Sequence, residues 1–189
     1  MDVGSRPGRE AGSATVPVAV RCGSAGAAER WAASIPGAQR LGGEGGRDLI
    51  VHADDAAAAV ALVLAVRRAG AGAVGAGVAI EQAEGALRRA RRRPGGIAVS
   101  RVPGSTGTEE DRGLLEAGLG VLLTLESRRS APQQAAGVLI ESGRSQREAA
   151  ADLGVSQQAV QQRLRAGLWE ETRTLLDALL PVARRVLEA

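Results

Sequence analysis

PQQAAGVLIESGRSQREAAADLGVSQQAVQQRLRAGLW, residues Pro132 to Trp169, is the stretch whose reading decides the fold of the C-terminal part of this chain. It divides into three short helical segments. The first, Pro132 to Ser142, places Ala136, Leu139 and Ile140 on one face, and Gly143 follows as a stop. Ser145-Gln146-Arg147-Glu148 then has the form of a capping box, a serine and a glutamate three residues on satisfying each other's free amides. The helix it opens runs from Gln146 to Leu153. Gly154 can take the left-handed backbone angles of a sharp turn. Val155 points inward, and Ser156 caps a third helix, Gln157 to Ala166.

This spacing predicts a helix-turn-helix. Ala150, Leu153, Val155, Val160 and Leu164 are its expected buried positions, with a small residue where the helices cross and a glycine in the turn. Gln157, Gln158, Gln161, Gln162 and Arg165 are then left facing outward. A glutamine can hold an adenine edge through two bonds, and an arginine can hold guanine or a phosphate. Ser145, Gln146 and Ser156, at the two helix starts, complete the expected DNA-binding set. A bare three-helix bundle is the alternative, but an idle exposed face would carry Glu and Lys rather than four Gln.

Composition adds less. The 189 residues have room for one medium domain and a small one. The formal charge of +3, from 24 basic and 21 acidic residues, is not by itself a nucleic-acid signature. Every basic residue is Arg, and Lys, Asn, Phe and Tyr are absent, a bias that fits a GC-rich genome better than a selected function. One cysteine, Cys22, excludes an internal disulfide and fits a reducing compartment. The first residues contain no secretory signal, and the longest apolar run, Ala56 to Val66, is 11 residues, too short for a bilayer. A soluble, cytoplasmic protein is expected.

Upstream, residues 1–13 are polar, Gly-rich and expected to be disordered. Thr15 to Cys22 reads as a strand, with Pro17 assigning it to an edge or a strand start. Ala25 to Ser34 is a short helix, Ala38 to Leu41 a brief strand, and Gly42 to Gly46 a turn. Asp48 to Ala53 is a strand. Asp54 is the expected cap of an apolar helix ending at Arg68. Ala73 to Ile80 reads as a strand, Gln82 to Arg93 as a helix and Gly96 to Val102 as a strand. Glu109 to Ser127 is a long helix. Glu170 to Leu187 is helical, with Pro181 able to break it. The first six elements follow the order of a ferredoxin-like split βαβ unit. The expected fold class is α+β. An α/β domain (14–108) is joined by a connecting helix (109–130) to an all-α helix-turn-helix domain (131–189).

The segment GRSQREAAADLGVSQQAVQQRLRAGLW, Gly143 to Trp169, is similar to the C-terminal helix-turn-helix of a group of actinobacterial DNA-binding proteins. These are often labelled MarR-like regulators and are related to the SatD family. Two further stretches resemble the region before that domain, VGAGVAI (Val74 to Ile80) and AEGALRRARRRPGGIAV (Ala83 to Val99). In that group the N-terminal domain looks like a nucleotide-cyclase palm that has lost catalysis, and Gly42 to Val66 resembles its hairpin region. The link between Ile80 and Ala83 is shorter than in the group, so a ligand site on that loop is not carried over.

Other motifs point away from chemistry. Gly70, Gly72 and Gly75 spell GxGxxG, but after a helix and entering a strand, the reverse of a dinucleotide loop. Cyclase-like metal catalysis needs an acidic residue at the end of the first strand. None is there, and Glu44 with Asp48 do not make a site. His52 is a lone histidine at a strand end, and Cys22 has no partner for reactivity. Arg88, Arg89, Arg91, Arg92 and Arg93 suit a helix C-terminus and can also contact phosphate.

The sequence therefore predicts a non-enzymatic, sequence-specific DNA-binding protein, a transcriptional regulator with a non-catalytic α/β domain for sensing or assembly. No cofactor or metal is expected, and no effector is identified. The partner is double-stranded DNA, not a membrane. A homodimer is expected, with Leu114 to Leu125 or Leu175 to Leu187 as its interface. The alternative is a protein-interaction or ligand-sensing module without DNA binding.

Overall fold

The computed structural model describes residues 15–34, 38–40, 44–69, 73–76, 80–93, 95–101 and 103–188. The expected disordered tail, Gly42, Gly43, Gly70 and Gly72 lie outside them. The described elements are β1 (Val16–Arg21), α1 (Ala25–Ser34), β2 (Gln39–Arg40), β3 (Asp48–Ala53), α2 (Ala56–Arg68), β4 (Ala73–Ala76), α3 (Ile80–Ala90) and β5 (Ile97–Val99). Then come α4 (Glu109–Arg128), α5 (Ala131–Glu141), α6 (Gln146–Leu153), α7 (Gln157–Ala166) and α8 (Trp169–Leu187). The chain is mixed α and β.

One sheet has the order β2-β3-β1-β4-β5. β1 pairs antiparallel with β3 and β4, β2 pairs antiparallel with β3, and β4 pairs parallel with β5. Val16, Val18 and Val20 alternate toward one face, where they meet α2, α4 and α8 in the main core. Ala19, Ile50 and Ala98 face the other way and are covered by α3 through Ala83, Ala86, Leu87 and Ala90. That helix lies almost flush on the sheet. A Cβ at Gly75 would sit 2.2 Å from the Leu87 backbone nitrogen. Glycine is needed there because a helix backbone occupies the place of a side chain.

Several expectations are corrected. Pro17 sits in the central strand, not at an edge. It is the second residue of β1, so the strand-start half of the expectation holds. The strand expected to run to Ile80 is described over Ala73–Ala76, and Ile80 opens α3, so the supposed link to Ala83 is that helix's first turn. Asp55, not Asp54, caps α2, accepting from the Ala58 N–H at 2.7 Å. The neighbouring Ala56 N–H donates to Glu188 Oε1 at 3.0 Å.

α8 runs through Pro181 without a break. An internal proline costs roughly 3 kcal/mol. Leu179, Val182, Ala183 and Val186 are buried beside it in the main core, and each buried Leu or Val contributes about 1.5–3 kcal/mol. Packing wins. The buried face of α8 lies against α4 and α2, and the helix also meets α7. Its C-terminal end is pinned to the start of α4. The Gly107 N–H donates to the Arg185 carbonyl at 2.7 Å, and Arg185 pairs with Asp111 at 2.5 Å. Arg185 and the Thr108 amide draw the Asp111 carboxyl down to about 2.

Glu116, buried on α4, closes the outer edge of the sheet. Its Oε1 accepts the Val99 N–H at 2.8 Å, and the carboxylate is held by Arg93 and by Arg112 at 2.7 Å. Arg89 Nη2 donates to the Val99 carbonyl at 3.1 Å.

Candidate nucleic-acid interface

Helices α5 to α7 form where the local chemistry places them. Ser145 Oγ accepts the Glu148 N–H at 3.2 Å, while Glu148 Oε2 accepts both the Ser145 N–H and its hydroxyl at 2.8 Å. Those two donors hold the Glu148 carboxyl below the usual carboxylate range. Gly143 and Gly154 take the left-handed conformation at φ 88° and 63°. Ser156 Oγ accepts the Ala159 N–H at 3.1 Å, which starts α7. Ala136, Ala149, Ala150 and Val160 are fully enclosed, and Leu139, Ile140, Leu153, Val155 and Leu164 pack around them half-buried.

The expected site residues do not all come together. Ser156, Gln158, Gln161, Gln162 and Arg165 line one solvent-facing groove along α7. Gln146, half-buried, joins Gln161 and Arg165 in a second depression that also contains Leu164, Glu170 and Glu171. Gln157 is exposed but lines neither, since at about 100° per residue it lies about 90° around the helix from the groove's mid-line. Ser145 also lines neither, and its hydroxyl is already used twice in the capping box. The groove itself contains no acidic side chain.

A buried polar hub holds the end of α7 in place. Arg129, between α4 and α5, donates from Nε to the Gly167 carbonyl at 2.8 Å and from Nη2 to Thr172 Oγ1 at 2.6 Å. Its guanidinium lies 4.0 Å from the centre of the Trp169 ring, and that of Arg68 lies 5.5 Å from it. The indole is also set against Gly137, where a Cβ would fall 2.1 Å from the ring. Glu126, whose side chain is fully buried, takes Arg68 at 2.8 Å, Gln134 at 3.0 Å, and Arg129. Arg68 bridges on to Glu141 of α5 at 2.7 Å. Burial alone would raise the Glu126 carboxyl, but bonds from Arg68 and Gln134 and the charges of Arg68 and Arg129 outweigh it and hold the group below its usual range. Burial lowers Arg129, and Glu126 partly offsets that.

No family model, curated protein or solved structure matches this chain. The resemblance to actinobacterial regulators therefore stands on its motif residues alone.

Asp48, His52 and Cys22, three further polar residues singled out from the sequence, have structural surroundings. Asp48 makes two bonds with Arg21, at 2.7 and 2.6 Å. His52 is exposed and contacts Thr15 Oγ1 at 3.1 Å through Nδ1. Cys22 is buried, and burial with the nearby Asp48 charge pushes its thiol up, away from reactivity. Among the described residues no three metal-ligating side chains cluster, and no helix is long and apolar enough to cross a membrane. The hub is what sequence reading misses. Its members lie up to 73 residues apart along one ion pair, and no local sequence pattern announces it.

Proposed function

We propose that this chain is a sequence-specific DNA-binding protein working as a transcriptional regulator, with α7 entering the major groove. The groove lined by Gln158, Gln161, Gln162 and Arg165 carries this reading. Three amides beside one guanidinium, with no acid in the groove, suit base edges and an adjoining phosphate. The turn from α6 into α7 supports it, because a helix-turn-helix presents its second helix N-terminus first. Residues 131–167 carry four arginines against three acids, so few phosphate contacts are available and base contacts must supply much of the selectivity. The βαββαβ order with β1 between β3 and β4 supports a ferredoxin-like unit, extended by α3 and β5. We assign that unit a positioning and assembly role without catalysis.

Selection of a preferred duplex, followed by anisotropy titrations across a salt series, tests the proposal. Gln158→Ala or Gln161→Ala is expected to cost about 1–3 kcal/mol on the best site and to relax preference at one position. Gln157→Ala should cost less. Arg165→Ala should weaken all sequences evenly and reduce the salt slope by about 1. If all four variants bind DNA like the parent while folded, α7 does not read DNA, and the helical unit is a protein-interaction module.

A further inference from the structure

We infer that the outer face of α4 is a self-complementary seam on which a second copy of this chain docks antiparallel. Leu114 and Val121 are the most exposed large apolar residues among those described, at 54% and 52%. They belong to a series, Glu110, Leu114, Ala117, Val121, Thr124 and Arg128, spaced alternately four and three residues apart. This is the spacing of a helix–helix seam. Beside it runs a groove floored by Gly113, Ala117 and Gly120 and walled by Ile97 and Leu125. The competing candidate, α8, has its apolar face in the main core.

The series reads the same way in reverse. With a two-fold axis level with Leu119, Glu110 meets Arg128 of the other copy, Leu114 meets Thr124, and Ala117 meets Val121. In the adjoining row Gly113 meets Leu125. Each contact joins a large residue with a smaller one, or an acid with a base. The Thr124 hydroxyl already donates to the Gly120 carbonyl at 2.8 Å, so its methyl is the group left to face Leu114. Among the described residues neither Glu110 nor Arg128 makes an ion pair. A parallel pairing would instead set Glu110 against Glu110 and Arg128 against Arg128, and it would align the two helix dipoles. The contact is isologous and closes at two copies.

This inference does not depend on whether α7 reads DNA, and it is tested without DNA. Sedimentation equilibrium of the full chain across the micromolar range is expected to give twice the 19.2 kDa chain mass. Val121→Glu should return the monomer with an unchanged circular dichroism spectrum, and Gln158→Ala should leave the dimer intact. Glu110→Arg and Arg128→Glu should each weaken the dimer about threefold to tenfold, because a modest exposed pair occurs twice in it. Combining them should restore the parent value, which only antiparallel pairing predicts. A monomer throughout, or a dimer indifferent to Val121→Glu and to the charge swaps, would overturn the inference.

Discussion

The α/β layer and helices α5 to α7 are stabilised in different ways. The main core joins residues from β1, β3, β4, β5, α2, α4 and α8, and many of them are Val, Leu or Ile. Helices α5 to α7 enclose only three alanines and one valine. Burying an alanine gains little beside a leucine, so this small unit cannot draw much stability from its own interior. It relies on caps and turns within its sequence, and on the hub of Glu126, Arg68, Arg129 and Trp169 outside it. The region that faces the proposed partner is thus held largely by residues that never touch that partner.

The comparison breaks most visibly at Val160. Val160→Asp places an unpaired charge in the smallest core, and α5 to α7 should lose their helices while the sheet survives. Hydrogen exchange resolved by segment would show this, and protected α6 and α7 amides would refute it. Trp169→Ala comes next, at about 3–5 kcal/mol. Its signature should be faster exchange in α5 to α7 with little change in β1 and β3. Uniform destabilisation would mean that the two regions are one cooperative unit.

Glu126→Gln sharpens the comparison through pH. Removing the carboxylate leaves the buried Arg129 uncompensated and should cost about 3 kcal/mol. The folded-state value of Glu126 is lowered from 4.5. Its contribution is therefore complete above about 4.5 and lost as pH falls through the lower folded value. Denaturant midpoints of parent and variant should converge in acid and diverge toward neutrality, and a constant difference would exclude the hub carboxylate as the cause. The smallest expected effect is Gly154→Ala. A side chain in the left-handed region costs about 1–2 kcal/mol, read as a lower melting temperature with the proposed DNA affinity unaltered.

How far each region could be read follows from the same difference. The limits of α6 and α7 were legible to the residue because Ser145, Glu148, Gly154 and Ser156 act within four positions of where they stand. Those of β3, Asp48 to Ala53, were legible too. Those of β5 were not, because a strand ends where its neighbour does, and among the described residues of the expected Gly96 to Val102 only Ile97–Val99 pairs with β4. For α8, the apolar stripe announced a buried face without naming what it would be buried against, and Pro181 suggested a break that packing overrides. Gln157 looked equivalent to Gln158 in sequence, and only the helical turn separates them. For the hub, Arg68 and Glu141 are brought together only by the docking of α5 beside α2.

The course of α8 has a mechanical consequence. It is a rod of 19 residues, about 28 Å long at 1.5 Å per residue. One end carries Trp169 against α5, and the other is fastened at Gly107 and Asp111. With the fastened end as fulcrum, a swing of about 5° carries Trp169 through about 2.5 Å. That distance approaches the spacing of neighbouring base pairs, 3.4 Å on average. The Arg185–Asp111 pair and Trp169 therefore stand at opposite ends of one continuous helix, so any change in its tilt would be felt at both ends.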